Sequence, residues 1–485
     1  MNRSIARVGT AVIVLLLVLV AQLTYLQVLD ANSLADDPRN SRTYLRDFTR
    51  PRGMIISADG RILARSVDSD DEYERQRIYP FGELFAQVVG YQSVVVGSTG
   101  VERSYNAVLS GRDRDGIRLE DLGDLFVNKD PTANVVLSLR TDAQLLAKQA
   151  LGDQRGSVVV LEPATGAIVA MYSNPSFDPQ PLAGHNTKKV QEYFTLLNEL
   201  PSKPALARAY REIYPPGSTF KIVTTEAALD TGIATPETRF PSDTSFRPLQ
   251  AGRPISNFGG RSCGGTLEQS FIRSCNTTFA RLGFQLGEQF PPRMAGFGIY
   301  EVPPLDLSPG AVASTGPTPG TFETDNPSFA LSGIGQDGVA TTPLQMALVA
   351  AAVANGGVVM TPHVGARIED QDGKLLREVN PGPWKTAMPA TTALTIAGFM
   401  TEVVSNGTGT NAQIEGIAVA GKTGTAQTCE GCAPHAWFVA FAPAEAPRYA
   451  VAVIVENGGS MSNEATGGRV AAPIAAQMLR FLLSG

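Results

Sequence analysis

The chain has 485 residues, 43% hydrophobic and 18% charged, with a formal net charge of −6. This composition excludes a disordered or collagen-like chain, and without a long basic run there is no reason to expect a nucleic-acid partner. The length calls for two or three domains, and 48 Gly with 33 Pro imply many turns, favouring a mixed α and β chain over a helical bundle.

Val8 to Leu29 contains no charged residue and is rich in Val and Leu, with Arg3 and Arg7 before it and Asp30 after it. About 20 residues of helix cross a bilayer core, so the pattern predicts a transmembrane anchor over 8–29. The positive-inside rule leaves 1–7 as a cytoplasmic tail and puts everything after residue 30 outside. The alternative, a cleaved signal peptide, has a shorter apolar region and a small-x-small site; here the run ends in QLTYLQVLD.

Residues 31 to about 140 read as a polar, turn-rich module, with a turn at Pro51-Arg52-Gly53 and short strands at Ile55-Ile56 and Ile62-Leu63 around Asp59-Gly60. A strand signal follows at 134–139, then a helix from Thr141 to Leu151 with Thr141 as candidate N-cap. Strands are predicted at 157–161 and 167–172 across the Pro163–Gly166 turn. Helical runs follow near 187–200, 218–230 and 266–284. A Pro- and Gly-rich surface loop covers 303–328. Then come a helix from Thr342 to Asn355 closed by Gly356-Gly357, a hairpin over 364–379 around Asp372-Gly373, a helix from Thr391 to Ser405, strands at 435–442 and 448–456, and a helix from Val470 to Leu483. Strands at both ends with helices between predict an α+β domain on a largely antiparallel sheet.

Three short motifs carry chemistry. In Pro215-Pro-Gly-Ser218-Thr-Phe-Lys221 a helix starts at Ser218, and Lys221, three residues on, shares its face. Serine is a weak nucleophile without a base beside it, and a lysine whose pKa is lowered by burial can be that base. In Ser274-Cys275-Asn276 the hydroxyl can relay a proton and the amide can bond a peptide. In Gly421-Lys422-Thr423-Gly424-Thr425 Lys422 offers a positive charge, Thr423 and Thr425 offer hydroxyls, and Gly424 leaves room for a substrate strand. Each motif alone is weak: taken singly, a capping serine with a solvated lysine is the favoured reading of the first and a cap or turn the usual reading of the second, and a glycine-rich turn with a surface lysine is the alternative for the third. The lack of an upstream glycine at the right spacing makes GKTGT a poor phosphate loop.

Four cysteines remain. Cys429-Glu-Gly-Cys432 has redox or zinc spacing, but zinc needs two more ligands, and of three histidines only His435 is near. Disulfides in exported loops are the simpler reading; Cys263 with Cys275 and Cys429 with Cys432 is one of three possible pairings.

In this order and spacing the three motifs resemble those of penicillin-binding proteins and class A β-lactamases. Arg52-Gly53 with Asp59-Gly60 and Leu63-Ala64, the Gly100 to Asn106 box, GSVVVLEPATGAIVAMYSNPSFDP, Gly333-Ile-Gly-Gln336 with Thr342 to Ala347, and Gly407-Thr408 extend the resemblance to class B penicillin-binding proteins. The short anchor and compact module are most similar to the actinobacterial penicillin-binding protein A group. Cys275 stands where β-lactamases usually carry Asp, and Glu323-Thr-Asp-Asn326 has the wrong spacing for their deacylating motif.

The resemblance implies an acyl-enzyme at Ser218 with Lys221 as base and Ser274 as relay. Asn276, Lys422, Thr423, Gly424 and Thr425 would bind substrate, with no cofactor and no metal. It makes 30–140 a non-catalytic dimerisation or pedestal module and 141–485 a D,D-transpeptidase domain that cross-links peptidoglycan stem peptides ending in D-Ala-D-Ala. Implied partners are those peptides, β-lactams, membrane lipid through the anchor, and other cell-wall synthesis or division proteins. A D,D-carboxypeptidase and a non-catalytic penicillin-sensing or divisome scaffold are the alternatives.

Overall fold

The computed structural model describes residues 2–26, 48–112, 132–429 and 431–484. The end of the expected anchor, 27–29, and part of the expected N-terminal module, 30–47 and 113–131, lie outside the described residues. Helix α1 (Asn2–Thr24) contains an 18-residue stretch, Arg7–Thr24, of mean hydropathy 2.1, none of it buried against the rest of the protein. It is long and apolar enough to cross a bilayer.

The core of the larger, C-terminal part is a five-stranded antiparallel sheet. Its strands are β5 (Gly156–Leu161), β6 (Ile168–Asn174), β11 (Ala420–Ala426), β12 (His435–Ala442) and β13 (Tyr449–Val455), in the order β11-β12-β13-β5-β6. Every residue of β5, β12 and β13 is buried, as their near-continuous apolar sequences require of strands covered on both faces. The cover comes from two helix pairs. In one, α2 (Thr141–Leu151) packs on α8 (Gly467–Ser484); in the other, α6 (Pro343–Ala354) packs on α7 (Ala390–Ser405). The α+β class expected from the sequence holds.

A second sheet is built from both halves of the chain. Strands β1 (Ile55–Ile56), β2 (Ile62–Asp68), β3 (Arg75–Ile78) and β4 (Asn134–Leu137) join β9 (Gly365–Glu369) and β10 (Leu375–Glu378) in the order β10-β9-β4-β1-β2-β3. The pairing of β4 with β9 runs antiparallel across the composition change near residue 140.

Side chains of the N-terminal boxes brace their own module, and one of them, Tyr105, reaches across to the other half of the chain. Glu102, fully buried, bonds Arg52 at 2.7 Å and Arg77 at 2.6 Å. Burial alone would raise its carboxyl, but Arg77 and Arg52 outweigh that and hold it below its usual range. Arg52 also donates to Asn106 Oδ1 at 2.7 Å. Tyr105 donates to Asp306 at 2.5 Å, and the same carboxylate accepts from Val364 N and Gly365 N at 2.7 and 2.9 Å. Asp306 falls in the segment expected to be a surface loop, so that loop is also a clamp, and it ends early: a helix begins at Asn326.

Local details differ from the sequence reading where tertiary partners intervene. Thr141 is not the N-cap of α2: Arg140 occupies that position, and Asp59 from the N-terminal module accepts the Thr141 N–H at 2.9 Å. An end capped from elsewhere leaves no local signature. The single helix expected over 266–284 is two: α4 (Leu267–Ile272), opened by a Thr266/Gln269 capping box, and α5 (Asn276–Leu286). Ser274 breaks them with φ of 59°. Short hairpin strands β7 (Arg239–Asp243) and β8 (Cys263–Thr266) pair before α4. They had no clear alternation to announce them.

Candidate active site

The nucleophile segment opens at Pro215-Pro216-Gly217. Gly217 takes φ of 54°, which favours glycine, and its N–H donates to Gly335 O at 3.0 Å. The Gly333–Gln336 segment is therefore a buttress for this turn. Residues Gly217–Phe220 form one 3-10 turn that feeds α3 (Lys221–Asp230). Ser218 is thus in the turn and Lys221, three residues on, is the first residue of α3, which puts the two on one side of the segment. Trp437 Nε1 donates to Pro215 O at 3.0 Å and ties the turn to β12. Ser218 is half-buried and lines a cleft of about 750 Å³, whereas Lys221 is fully buried behind it.

The break between α4 and α5 brings the second motif to the same place. The left-handed Ser274 turns its carbonyl and its hydroxyl toward Lys221, whose Nζ donates to Ser274 O at 2.8 Å, to Ser274 Oγ at 3.2 Å and to Asn276 Oδ1 at 2.8 Å. Asn276 Nδ2 donates in turn to Ser256 O at 3.0 Å. Cys275, between them, is bonded to Cys263 at the start of β8, which fixes this turn to the β7–β8 hairpin. The other bonded pair, Cys429 with Cys432, lies in the loop after β11 and does not line the cleft.

The third motif is strand β11. Successive side chains of a strand point to opposite faces. Thr423 and Thr425 line the cleft; Lys422 and Gly424 do not. Thr423 Oγ1 lies 2.6 Å from Thr408 Oγ1, and Thr425 Oγ1 accepts from Gly467 N at 3.4 Å. Lys422 is fully buried, 5.6 Å over the Phe271 ring, and its Nζ donates to Ser274 Oγ at 2.9 Å and Thr423 O at 3.1 Å. Gly424 does not make room for a substrate strand, as its sequence context suggested. A Cβ there would sit 2.8 Å from Pro216 O and 2.9 Å from Thr219 Cγ2, so the missing side chain lets the nucleophile turn pack against the sheet.

One hydroxyl thus sits between two buried amines. Burial pushes Lys422 down to about 7. Burial, reinforced by the neighbouring charge of Lys422, pushes Lys221 well below its ordinary 10.5. A lysine in this state holds two N–H hydrogens, enough for the 2.8 Å bonds of Lys221 to Ser274 O and Asn276 Oδ1, and a lone pair to accept a proton at neutral pH; Ser274 Oγ is within hydrogen-bond reach of both nitrogens. Among the described residues no group of three or more His, Cys, Asp or Glu side chains is placed to hold a metal.

The cleft has further lining residues that the motifs did not single out. Asn257 and Phe258 stand on the hairpin side, and Thr466, Gly467 and Gly468 stand beside Thr425. Gly467 carries a signal only in three dimensions: a Cβ there would meet Trp437 O at 2.0 Å and Gly424 O at 2.4 Å.

A profile of the penicillin binding protein transpeptidase domain matches residues 156–480, and one of the penicillin binding protein A dimerisation domain matches residues 52–136. The chain is similar to the peptidoglycan D,D-transpeptidase PbpA of Mycolicibacterium smegmatis, with 40% identity over 98% of this chain and 97% of that protein. The PbpA of Mycobacterium tuberculosis is 37% identical, with 100% of each chain covered. The backbone is similar to that of penicillin-binding protein A from M. tuberculosis in its penicillin G acyl-enzyme complex, at TM-score 0.81 and 36% identity over 90% of this chain and 100% of that one. The likeness carried by scattered motifs therefore runs through the whole sequence, and the chain belongs to the penicillin-binding protein transpeptidase family.

Proposed function

We propose that this chain is a serine-type peptidoglycan D,D-transpeptidase, acylated at Ser218 by stem peptides ending in D-Ala-D-Ala and by β-lactams. The observation that carries the reading is the pair of buried lysines, Lys221 and Lys422, sharing the Ser274 hydroxyl beside the cleft that Ser218 lines.

In the first step the Ser218 hydroxyl proton passes to Lys221 Nζ, and Oγ attacks the carbonyl carbon between the two D-alanines. The N–H groups of Ser218 and Thr425 receive the developing oxyanion. The Thr425 carbonyl is 3.0 Å from where a Cβ on Gly217 would sit, so β11 and the nucleophile turn are close enough to supply both donors. By general precedent one such donor is worth roughly 3–4 kcal/mol of barrier. The C–N bond then breaks, and the departing D-alanine nitrogen takes a proton from Ser274 Oγ, which draws a replacement from the lysine pair. An acceptor amine attacks the ester carbonyl and loses its proton by the same relay. Ser218 Oγ leaves reprotonated through Lys221. Asn276 holds the peptide backbone. Thr423 and Thr425 bond the terminal carboxylate, and Lys422 attracts it from behind through its field.

The same reading gives the chain its layout: tail 1–7, membrane anchor 8–29, non-catalytic module 30–140 and catalytic domain 141–485, with the cleft on the outer side of the membrane. Helix α1 and the dimerisation-domain match support it. Work at the growing or dividing wall beside other synthesis proteins belongs to this proposal. The deciding experiment is mass spectrometry of the protein incubated with penicillin G, with Ser218→Ala as control, followed by a donor peptide plus an amine acceptor. An adduct on Ser218 and a cross-linked product support the reading. An adduct with hydrolysis alone makes it a D,D-carboxypeptidase, and no adduct makes it a scaffold.

A further inference from the structure

Among the described residues the cleft is lined by no acid, and its charged lining residues are Arg261 and Arg273. Both are exposed, and among the described residues neither guanidinium has an ion pair or a hydrogen bond. Arg281 of the same region, in contrast, is paired with Asp243. The stretch 239–281 that builds this side of the cleft holds six arginines against two acids, in a chain whose net charge is −6. Two of those six, Arg261 and Arg273, line the cleft itself. Each of the two arginines stands two residues before a half-cystine of the Cys263–Cys275 bond, whose Cα atoms are 5.4 Å apart, so a covalent link holds both turns together at one end of the site. The terminal carboxylate of the substrate is already provided for by Lys422 and the β11 threonines. Two unpaired guanidiniums in a groove without acids suit a second anion, and a planar fork suits a carboxylate.

We infer that Arg261 and Arg273 form an anion subsite that selects stem peptides bearing a second carboxylate, on a side chain preceding the D-Ala-D-Ala pair. The inference rests on the transpeptidase reading above. The subsite raises the rate of capture of such peptides by steering and by charge-assisted hydrogen bonds, and these weaken with salt.

The test uses the full chain in detergent and two synthetic peptides ending in D-Ala-D-Ala. They differ only in a side-chain carboxylate or carboxamide on the residue before that pair, and D-alanine release is followed. The carboxylate peptide should have a kcat/KM about tenfold higher or more at low salt. The preference should shrink as salt is added and approach parity in the Arg261→Gln/Arg273→Gln double variant, with penicillin G acylation showing that the site is assembled.

Parity in the unaltered chain while it still takes up penicillin G overturns the subsite and leaves the transpeptidase reading standing. No penicillin G adduct in the unaltered chain overturns both. A preference that the acylated double variant retains overturns the assignment to these arginines. Should the double variant lose penicillin binding, the two single variants decide, and an unchanged preference in both overturns the proposal. Protection by inorganic phosphate without discrimination between the peptides identifies the anion as phosphate and overturns it too.

Discussion

Replacing Lys422 by methionine removes a charge that the fold buries at a cost, and the cost can be worked out. Lys422 is fully buried, and burial moves it from 10.5 to about 7. At about 1.4 kcal/mol per pH unit, that is roughly 5 kcal/mol of native stability given up whenever the lysine is charged both folded and unfolded. Below pH 7 the full cost applies. Between pH 7 and 10.5 the unfolded chain holds a proton that the folded chain has released, so the cost shrinks and native stability climbs with pH. Methionine has no such term but leaves Ser274 Oγ and Thr423 O without the bonds they accept from Lys422, at about 1 kcal/mol each. Lys422→Met should therefore be more stable than the unaltered protein by about 3 kcal/mol at pH 6.5, and the gain should fade as the pH approaches 9.5. The assay is urea denaturation across that pH range, followed by the fluorescence of Trp437, which pairs with Gly424 across β11 and β12. A variant less stable than the parent at pH 6.5, or a stability difference that does not change with pH, refutes the reasoning. The same variant should lose turnover of carboxylate-ended peptides, because the site trades stability for reactivity.

Burial and the Lys422 charge both lower Lys221, so acylation of Ser218 by penicillin G should reach its plateau well below pH 10.5. In Lys422→Met one lowering influence is gone, and the rising limb of the pH profile should move to higher pH; stopped-flow acylation checks the direction. Gly424→Ala places a Cβ against Pro216 O and Thr219; it should lower stability by about 1–3 kcal/mol and slow acylation, read by calorimetry and penicillin uptake. Glu102→Gln keeps the shape of the N-terminal module but leaves Arg52 and Arg77 buried without their counter-charge. The expected loss is about 3–5 kcal/mol, measured by thermal unfolding, while the acylation rate of the still-folded fraction should stay near that of the parent.

Much of the fold could be read from the chain because its signals are local. HAWFVAFA and YAVAVIV are apolar on both faces and became the central strands β12 and β13. Thr342-Pro343 before an apolar run gave the start of α6, whose Thr342 side chain accepts from Gln345 N at 3.0 Å. The three motifs identified the residues around the cleft but not their facing. The break at Ser274 depends on a positive φ that no residue type there announces. The burial of Lys422 behind β11 depends on strand parity, which cannot be read until the partner strand is known. The Asp59 cap on α2 and the Asp306 clamp join residues far apart in sequence. Arg261 and Arg273 are two of 40 basic residues in the sequence, and only the fold puts both on the lining of one cleft.

The mixed six-stranded sheet bears on how the enzyme can be handled. A fragment cut at the composition change, just before Thr141, discards β1 to β4 and strips β9 of one of its two neighbours. The bare backbone edge it exposes is an invitation to stick to other chains. Soluble versions should instead begin downstream of the hydrophobic helix and keep the first four strands. The ladder bonds run unbroken from β3 to β10, so the first four strands and the β9–β10 hairpin form one continuous hydrogen-bonded layer.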